Sequence, residues 1–540
     1  MELNNCVLLE TLPEGRSLFF SAPVKIISTV KTSRVMECLH KMDALSGRGF
    51  YLAGYAAYEA GYAFEKKYPE IPEQFPFPLL WFGVYKKPLL LNNKNRVGIY
   101  KKLFPAGLKT ENPAALPALS AADYKKKINI IKNHLQNGDI YQLNFTFPLK
   151  FSFSQNGFAL YNEMKTKQPV KYSAFIRRGS SYICSVSPEL FFEKNGSRMR
   201  CLPMKGTMPR GNSITADQQN AQSLKNSIKN RAENTMIADL IRNDLGKISR
   251  PGSIMVKKPF GLEKHETLFQ MTTEIRSQLN PGIKLADIFP ALFPCGSVTG
   301  APKIRAMQII KTLESSWRGV YTGTLGYITP GGKNAVFSVA IRTAELKRQK
   351  GRLGIGSGIV WDSRSDEEYG ECLLKSAFLF PGYSEFKIIE SLLLVRKKYY
   401  FLNEHLDRME KSAACFSFVF SREKIVRALL KHARNSSPEA RKIRLLLGRS
   451  GDFSIEQSKL APVRHAVLKI KISDQAVNSR DLFLQHKTTK RRLFNEEFSG
   501  KKNCAEIIFC NERGEITEGS SNNIFIRKKN LFFTPPLSCG

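Results

Sequence analysis

Three glutamates in the first 380 residues would bind a metal ion if the fold brought them together. Glu233 opens a predicted helix, in its first turn, and Glu368 and Glu371 stand three residues apart on one face of another. Converging carboxylates without histidine or thiolate suit a hard cation such as Mg²⁺. Each also has a plain explanation, because Glu233 could merely favour the helix dipole and the other two could form a solvated face. Spacing alone favours the plain explanations.

Lys205 and Glu189 form a second candidate pair. Lys205 lies in PMKGT, residues 203–207, and Glu189 precedes it by 16 residues, at a turn that enters a predicted strand. Two adjacent strands joined by a loop could bring the two side chains face to face. Most lysines in such runs are solvated surface charges, so these residues alone leave open whether Lys205 has a chemical role.

Hydrophobic periodicity predicts the elements that would position these residues. Apolar residues recur at helical spacing from Tyr124 to Leu135 and predict a helix that Gly138 ends. The clearest helix covers 231–248, with an apolar stripe at 236, 237, 240 and 241 and Gly246 at its end. Residues 320–360 read as strands. We therefore expect a mixed α/β protein.

Two composition changes divide the chain into predicted domains. Segment 106–122, rich in Pro and Ala, predicts a linker between an N-terminal subregion, 1–105, and a core, 123–382. PGY at 381–383 marks the second boundary, and a new strand–helix pattern begins at FKIIESLLLV. We expect one region over 1–382 and another over 383–540, within the two to four domains that 540 residues suggest.

The net charge of +36 is the strongest compositional signal and admits a nucleic-acid partner. The lysines are dispersed, however, and neither zinc-finger spacing nor an RNA-recognition aromatic motif occurs. We expect no specific nucleic-acid binding, and a basic nucleic-acid-binding protein stays as the alternative of another class.

No stretch reaches ~18 uninterrupted apolar residues, and the N-terminus has no secretory signal. Ten scattered cysteines indicate reduced thiols, so we expect a cytoplasmic protein without membrane contact.

A series of longer motifs decides between these explanations. Residues 1 to about 382 closely resemble the chorismate-utilising enzymes, which include anthranilate, aminodeoxychorismate, isochorismate and salicylate synthases. The resemblance implies an αββα sandwich and a chorismate substrate bound with Mg²⁺. The motifs occur in the order SPELFF, KGTMPRG, RAENTMIADLIRNDLGKI, CGSVTGAPKIRAMQII, GVYTGTLGYI, AIRTAEL, GIGSGIVWDS and EEYGECLLK.

The resemblance implies a role for each matching residue. Glu233 and Glu371 would hold Mg²⁺, with Glu368 as an acidic helper, and Glu189 would be the general acid/base that assists loss of the ring hydroxyl. A charged fork and a turn of exposed amides suit the carboxylates of chorismate. The positions that match chorismate-binding residues are Arg342, Lys375, the backbone of Gly356, Ser357 and Gly358, and Tyr327.

The lysine of PMKGT selects among the activities of the family. Anthranilate synthases typically have PIAGT at this position and aminodeoxychorismate synthases PIKGT, in which the lysine is the proposed nucleophile. Gln142 stands where isochorismate-forming relatives have a lysine that activates water. The resemblance therefore implies amination of chorismate at C4, with anthranilate synthase component I as the alternative. No Cys-centred glutaminase motif occurs, so we expect a separate amidotransferase subunit to supply ammonia.

The C-terminal region resembles fold-type-IV pyridoxal-phosphate (PLP) enzymes, in particular aminodeoxychorismate lyase. The motifs are FKIIESLLL, LNEHLDRMEKSA, RKIRLLLGRSG, HKTTKRR and GEITEGSSNNIFI. Lys487 matches the lysine that binds PLP covalently, Glu518 the carboxylate that pairs with the pyridinium nitrogen, and Arg408 a phosphate-binding arginine. Relatives continue with a segment that grips the cofactor phosphate, so we expect this region to be incomplete and its lyase activity impaired. Together the two regions imply an enzyme of p-aminobenzoate and folate synthesis.

Overall fold

The computed structural model describes most of the chain, and the statements below concern the residues that it describes. They are residues 3–11, 16–65, 77–103, 115–153, 156–211, 214–264, 268–376, 379, 386–416, 418–448, 451–460, 469–477, 479, 483–500 and 504–539.

The described residues form strands β1–β29 and helices α1–α12. The strands are β1 Asn5–Thr11, β2 Arg16–Ser21, β3 Lys25–Thr29, β4 Tyr51–Ala56, β5 Leu80–Tyr85, β6 Leu89–Leu91, β7 Ala115–Pro117, β8 Gln142–Ser152, β9 Tyr172–Arg178, β10 Ser181–Ser187, β11 Leu190–Asn195, β12 Arg198–Leu202, β13 Met204–Pro209, β14 Met255–Lys264, β15 Leu268–Gln278, β16 Gly300–Ala301, β17 Thr324–Ile328, β18 Asn334–Val339, β19 Thr343–Lys347, β20 Lys350–Ile359, β21 Ile388–Val395, β22 Lys398–Tyr399, β23 Arg441–Leu447, β24 Phe453–Lys459, β25 Ile470–Ile472, β26 Glu506–Cys510, β27 Ile516–Gly519, β28 Ile526–Lys528 and β29 Leu531–Phe533. The helices are α1 Val35–Gly47, α2 Asn93–Leu103, α3 Ala121–Gln136, α4 Gly157–Lys167, α5 Ile214–Asn226, α6 Ile228–Gly246, α7 Leu285–Leu292, α8 Lys303–Leu313, α9 Ser365–Leu374, α10 Leu402–Phe416, α11 Arg422–Asn435 and α12 Arg492–Gly500.

Two large sheets pack face to face in the N-terminal part. The first has the strand order β16-β8-β20-β19-β10-β9-β1-β2-β6, with β7 on the edge of β8, and the second has β13-β15-β12-β11-β18-β17-β4-β5-β3, with β14 beside β15. Phe20 of the first sheet meets Tyr85 of the second, with ring centroids 5.2 Å apart. The inward faces share one continuous buried apolar core, which fixes both sheets as a single scaffold.

Alternation explains why β8 is a central strand. Phe145, Phe147, Leu149 and Phe151 are buried, whereas Lys150 lies between them and is exposed. A period of two places the aromatic side chains on the same face. Helices pack against these rings. The ring centroids of Phe147 and of Tyr369 in α9 lie 5.6 Å apart.

Helices cover the outer faces of both sheets. Phe158 of α4 packs on Phe175 of β9 at 5.1 Å, α3 and α9 cover β8 and β20, and α1 packs against β3, β4 and β5. The mixed α/β class and the αββα layering that the resemblance implied are confirmed.

The predicted helices are present, with one error in a helix start. In α3, Tyr124, Ile128 and Ile131 are buried and the Ser120 hydroxyl caps the helix by accepting from Asp123 N–H. The predicted 231–248 helix is α6, which ends at Gly246 as expected but begins at Ile228, directly after α5 and Ser227. Glu233 therefore lies in the second turn of α6, so the prediction that it opens the helix is wrong.

The C-terminal residues form smaller sheets with their own cores. Strands β22-β21-β23-β24 form one sheet, and the apolar faces of α10 and α11 pack on it. Strands β25-β26-β27 form another and share a small core with α12, in which the Phe494 and Phe509 rings lie 4.4 Å apart. The new strand–helix pattern predicted at FKIIESLLLV is therefore confirmed.

The described chain divides into two compact units. One comprises 1–206, 228–261 and 271–383, and the other comprises 207–227, 262–270 and 384–540. The boundary predicted at 382–383 and residues 106–114 of the predicted linker lie outside the described residues. Within the rest of that linker, Ala115–Pro117 pairs with β8, because the edge of β8 offers free backbone groups there. No helix in the described ranges is long and apolar enough to cross a membrane, and all ten cysteines are free thiols.

A buried ion pair ties β8 of the first sheet to the segment before β17. The Arg318 guanidinium is buried, donates to Glu314 at 2.7 and 2.9 Å, and also donates to the carbonyls of Val298 and Asn144. Glu314 in turn accepts from the backbone N–H of Thr146 at 2.8 Å. Both charges are saturated, as a buried pair requires.

Breaking this pair should destabilise the fold strongly. Arg318→Met leaves the Glu314 carboxylate, 5% exposed, without a cation, and we expect a loss of about 3–5 kcal/mol of unfolding free energy. Urea denaturation followed by circular dichroism measures it. The control Lys41→Met removes the partner of Glu37 in an exposed pair and should leave the midpoint nearly unchanged. Equal midpoints for Arg318→Met and the wild type would contradict the structural role.

Candidate active site

Lys205 occupies the second position of β13 and is the centre of a charged cluster. It is half-buried, and the carboxylates of Glu189, Glu233 and Glu371 and the ammonium of Lys375 act on it. Burial lowers the pKa of Lys205 below its ordinary value, against the opposing pull of Glu233 and Glu189. The next residue, Gly206, lies within the same strand with φ +86°, a left-handed conformation that glycine adopts at little cost.

Glu189 lies immediately before β11 and is buried, with 2% of its surface exposed. The Ser297 hydroxyl donates to its Oε1 at 2.6 Å. Burial raises the pKa of Glu189 to about 7, although Ser297 and Lys205 oppose this shift. The expectation that adjacent strands join Glu189 and Lys205 is wrong, because β12 and β15 lie between β11 and β13 in the sheet. Their charges nevertheless interact.

The three predicted metal-binding glutamates lie near one another without forming a closed ligand set. Burial raises the pKa of Glu233, and the charges of Glu368 and Glu371 add to that shift. Glu371 accepts from Lys375 Nζ at 2.7 Å, and its pKa is lowered because this ammonium outweighs burial. Glu368 accepts from the Ser363 hydroxyl at 2.7 Å. Among the described residues, no three acidic, histidine or cysteine side chains converge at metal-ligand distance.

Gly356, Ser357 and Gly358 lie in strand β20, opposite Thr146, Phe145 and Asn144 of β8. The predicted turn of exposed amides is therefore wrong as to shape. The N–H of Thr146 donates to Glu314 and that of Asn144 to Thr299, so neither glycine exchanges hydrogen bonds with the residue opposite.

The two glycines turn their backbone groups to the other edge of β20. Gly356 C=O accepts from Lys375 Nζ at 3.1 Å there. Pairing with β19 ends at Leu353, so along the described strands the N–H groups of Gly356 and Gly358 face an uncovered edge. Exposed amides and Lys375 thus lie together, as anion binding requires.

The side chains of Gln142 and Lys205 both lie close to Gly358. A Cβ atom at Gly358 would lie 2.2 Å from Gln142 Nε2 and 3.1 Å from Lys205 Nζ, so only glycine leaves room for both. Gln142 is 1% exposed, and both atoms of its amide lack a hydrogen-bond partner within the described part of the chain. A buried amide without partners is costly, and a polar ligand would satisfy it.

Sequence reasoning assigned no role in the site to Gln142 or Ser297. By sequence, Gln142 is only the position where isochorismate-forming relatives have a lysine, and Ser297 is only part of the motif CGSVTGAPKIRAMQII.

Tyr327 and Arg342 make contacts outside the lysine cluster. The ring of Tyr327 on β17 lies 6.3 Å from that of Phe20. The guanidinium of Arg342 donates to Gln168 Oε1, and its backbone has φ +50°, an uncommon conformation for a non-glycine residue.

Lys487, Arg408 and Glu518 come together in the C-terminal unit. Burial lowers the pKa of Lys487, and the guanidinium groups of Arg408 and Arg491 act in the same direction. Burial raises the pKa of Glu518, which lies 4.0 Å from Arg491 and interacts with Lys487. Lys487 is thus influenced by two guanidinium groups as well as by the carboxylates of Glu390 and Glu518.

Similar proteins are found for both regions. An aminodeoxychorismate synthase component 1 from Salmonella typhimurium is 32% identical over 333 residues, which cover 59% of this chain and 73% of the relative. An anthranilate synthase component 1 from Lactococcus lactis is 32% identical over 351 residues, covering 60% and 77%. The crystal structure of anthranilate synthase component I from Streptococcus pneumoniae has a TM-score of 0.60 at 24% identity, covers 68% of this chain and 93% of its own, and shows the fold.

Family matches follow the two parts of the sequence. Residues 387–540 match the amino-transferase class IV family. Residues 4–381, well over half of the chain, match the chorismate binding enzymes. With the fold and these matches in agreement, the chain belongs to the chorismate binding enzyme family and is a chorismate-utilising enzyme.

Proposed function

We propose that the chain aminates chorismate at C4 with ammonia, giving 4-amino-4-deoxychorismate. The observation that carries this proposal is Lys205, a lysine of lowered pKa among carboxylates and beside the unpartnered amide of Gln142. Burial favours the neutral amine, which is the form that attacks carbon. The relatives at 32% identity include both aminodeoxychorismate and anthranilate synthases, so the lysine, and not overall similarity, favours amination at C4.

The proposed chemistry has two displacements. The neutral amine of Lys205 forms a bond to ring C2, the two conjugated ring double bonds both shift, and the C4 hydroxyl leaves as water with a proton from Glu189. Ammonia then bonds to C4, both double bonds shift back, and the C2–N bond to Lys205 breaks. The proton lost by ammonia restores the Glu189 carboxyl group, so chorismate and ammonia give aminodeoxychorismate and water. The Glu189 pKa of about 7 suits a group that both gives and takes a proton.

We further propose that Glu233 and Glu371 hold Mg²⁺, with Glu368 assisting. The donor set fits, because carboxylate oxygens suit this hard cation. A cation there would favour the charged form of Glu233, whose pKa is raised by burial and further by the charges of Glu368 and Glu371. When bound, Mg²⁺ would neutralise a carboxylate of the substrate. Lys375 and the N–H groups of Gly356 and Gly358 would bind a carboxylate from the uncovered edge of β20, and Arg342 and Tyr327 stay proposed chorismate-binding residues.

We propose a separate glutamine amidotransferase subunit as the source of ammonia, in line with the "component 1" in the relatives' names.

For the C-terminal region we propose PLP binding and lyase activity toward aminodeoxychorismate. The several positively charged side chains that act on Lys487 fit a ligand that carries a phosphate dianion. When bound, PLP would supply an electron sink, Lys487 would hold it, and Glu518 would keep its ring nitrogen protonated.

The wild-type chain should form aminodeoxychorismate from chorismate and ammonium, and Lys205→Ala should not. Removing the nucleophile is expected to lower the rate on the order of 10²–10⁴-fold, with anthranilate as the residual product. Product identification by chromatography and mass spectrometry measures both quantities. Lys350→Ala, exposed at the start of β20, is the control and should match the wild type. Native rates of C4 amination by Lys205→Ala would refute the assignment, and anthranilate as the wild-type product would favour the alternative.

Glu233→Gln and Glu371→Gln should each lower turnover about 100-fold at limiting Mg²⁺, because each removes an anionic ligand. Higher Mg²⁺ should restore part of the rate, and EDTA should stop the wild-type enzyme. Glu367→Gln, on the exposed side of α9, keeps full activity. Steady-state rates across a Mg²⁺ titration give the result, and undiminished turnover in EDTA would rule the metal out.

The pH dependence should report Glu189. Its carboxyl must carry a proton when the hydroxyl leaves, and a pKa of about 7 means that this form declines as pH rises through 7. At a fixed concentration of NH₃, kcat/KM should fall about tenfold per pH unit above that pKa. Glu189→Gln should have a low kcat/KM that does not fall with pH in this way. Glu193→Gln, which alters a half-exposed residue of β11, should keep the wild-type pH dependence. A flat wild-type profile between pH 6 and 9 would be incompatible with this role.

A further inference from the structure

A buried carboxylate, Glu390, holds the guanidinium of Arg408 from one side. Glu390 on β21 is 1% exposed. Its Oε1 accepts from Arg408 Nε at 2.7 Å, and its Oε2 accepts from Arg408 Nη2 at 2.6 Å and from His405 Nδ1 at 2.7 Å. A two-point contact of this kind fixes the plane of the guanidinium.

Backbone pairing brings this group to Lys487. The N–H of Ile389 donates to the C=O of Lys487 at 2.9 Å, and that of Thr489 donates to Lys387 at 2.9 Å. Glu390 therefore follows directly after the point where the two segments pair. Helix α10 is joined to the same segment, since Ser412 Oγ lies 2.9 Å from His486 Nδ1.

Spacing on α10 places the three residues that contact β21 and the lysine segment on one face. His405, Arg408 and Ser412 are separated by three and four residues, so they lie in one row along the helix. The row faces β21 and the lysine segment, as the contacts with Glu390 and His486 require. Arg408 is thus oriented from a rigid element.

The charges around Lys487 favour an anion in front of Arg408. The groups that act on Lys487 include Arg408, Arg491, Lys442 and the carboxylate of Glu390, and Lys487 also interacts with Glu518. Glu390 already uses its oxygens on Arg408 and His405. The Arg408 side chain is still 52% exposed, and the contact with Glu390 engages Nε and Nη2, which leaves Nη1 for a ligand.

We propose that Glu390 and His405 are positioning residues that hold Arg408 ready to bind the phosphate of PLP beside Lys487. This inference rests on the proposal that the C-terminal region takes PLP, and not on the synthase chemistry. A buried ion pair adds little to stability compared with apolar packing, whereas it fixes one orientation of a long, flexible side chain. Without Glu390, Arg408 would lose rotamer freedom on binding and the phosphate would be held less tightly.

The test compares PLP with pyridoxal, which has the same ring and aldehyde but no phosphate. Equilibrium dialysis of the full chain gives both dissociation constants without any turnover. We expect the wild type to prefer PLP, and Glu390→Gln to weaken PLP binding about tenfold while changing pyridoxal binding less than about twofold. Arg408→Gln removes the proposed phosphate-binding side chain itself and should therefore show the weakest PLP binding. Asp407→Asn, which alters an exposed pair with Arg422 on the same helix, is the matched control and should keep the wild-type preference.

Each outcome decides the proposal. A wild type without preference for PLP, an unchanged PLP affinity in Glu390→Gln, or equal losses for both ligands would overturn it. If circular dichroism shows that Glu390→Gln does not fold, His405→Gln takes its place, and a retained preference in that variant overturns the proposal. Pyruvate release from aminodeoxychorismate is measured separately. Its absence with an intact PLP preference would refute the lyase activity and still support the positioning role.

Discussion

Burial of charge at the edge of two packed sheets is the constraint on which the site depends. Removal from water disfavours an ammonium and a carboxylate alike, so it lowers the pKa of Lys205 and raises that of Glu189. Both shifts increase the fraction of neutral amine and neutral acid near pH 7, which are the forms that a nucleophile and a proton donor need. Glu233 and Glu371 restrain the shift of the lysine, because their charges favour its protonated form. The balance of these opposing effects, and not any one residue, sets the reactivity.

The same fold contains buried charges whose function is only structural, and their contacts distinguish them. Arg318 and Glu314 are saturated by one another and by backbone groups. Gln142, in contrast, has buried polar atoms without partners in the described residues, and the uncovered edge of β20 presents the amides of Gly356 and Gly358. A buried polar group without a hydrogen-bond partner costs free energy, and a ligand that supplies the partner removes that cost. The unpartnered amide of Gln142 therefore supports the proposal that a polar substrate binds beside it.

A related logic applies to the C-terminal unit. Lys487 is surrounded by arginines, and Glu390 both balances and orients one of them. Secondary structure supplies the precision, because Glu390 lies on a strand paired with the lysine segment and Arg408 lies on a helix packed against that strand. In both units, regular elements position charged side chains, which fits the anionic ligands proposed for them.

The sequence by itself determined the α/β class, the helix that became α3, the end of α6 and the start of a new region near residue 386, since local periodicity and capping encode these features. It also singled out Lys205, because residue type at one motif position carries chemical information. Only the tertiary structure decided that β12 and β15 separate the strands of Glu189 and Lys205, that Gly356–Gly358 form a strand edge, and that Ser297, Gln142 and Glu390 lie beside Glu189, Lys205 and Arg408, respectively. Strand order and side-chain partners depend on contacts between residues far apart in the chain, and no local pattern specifies those contacts.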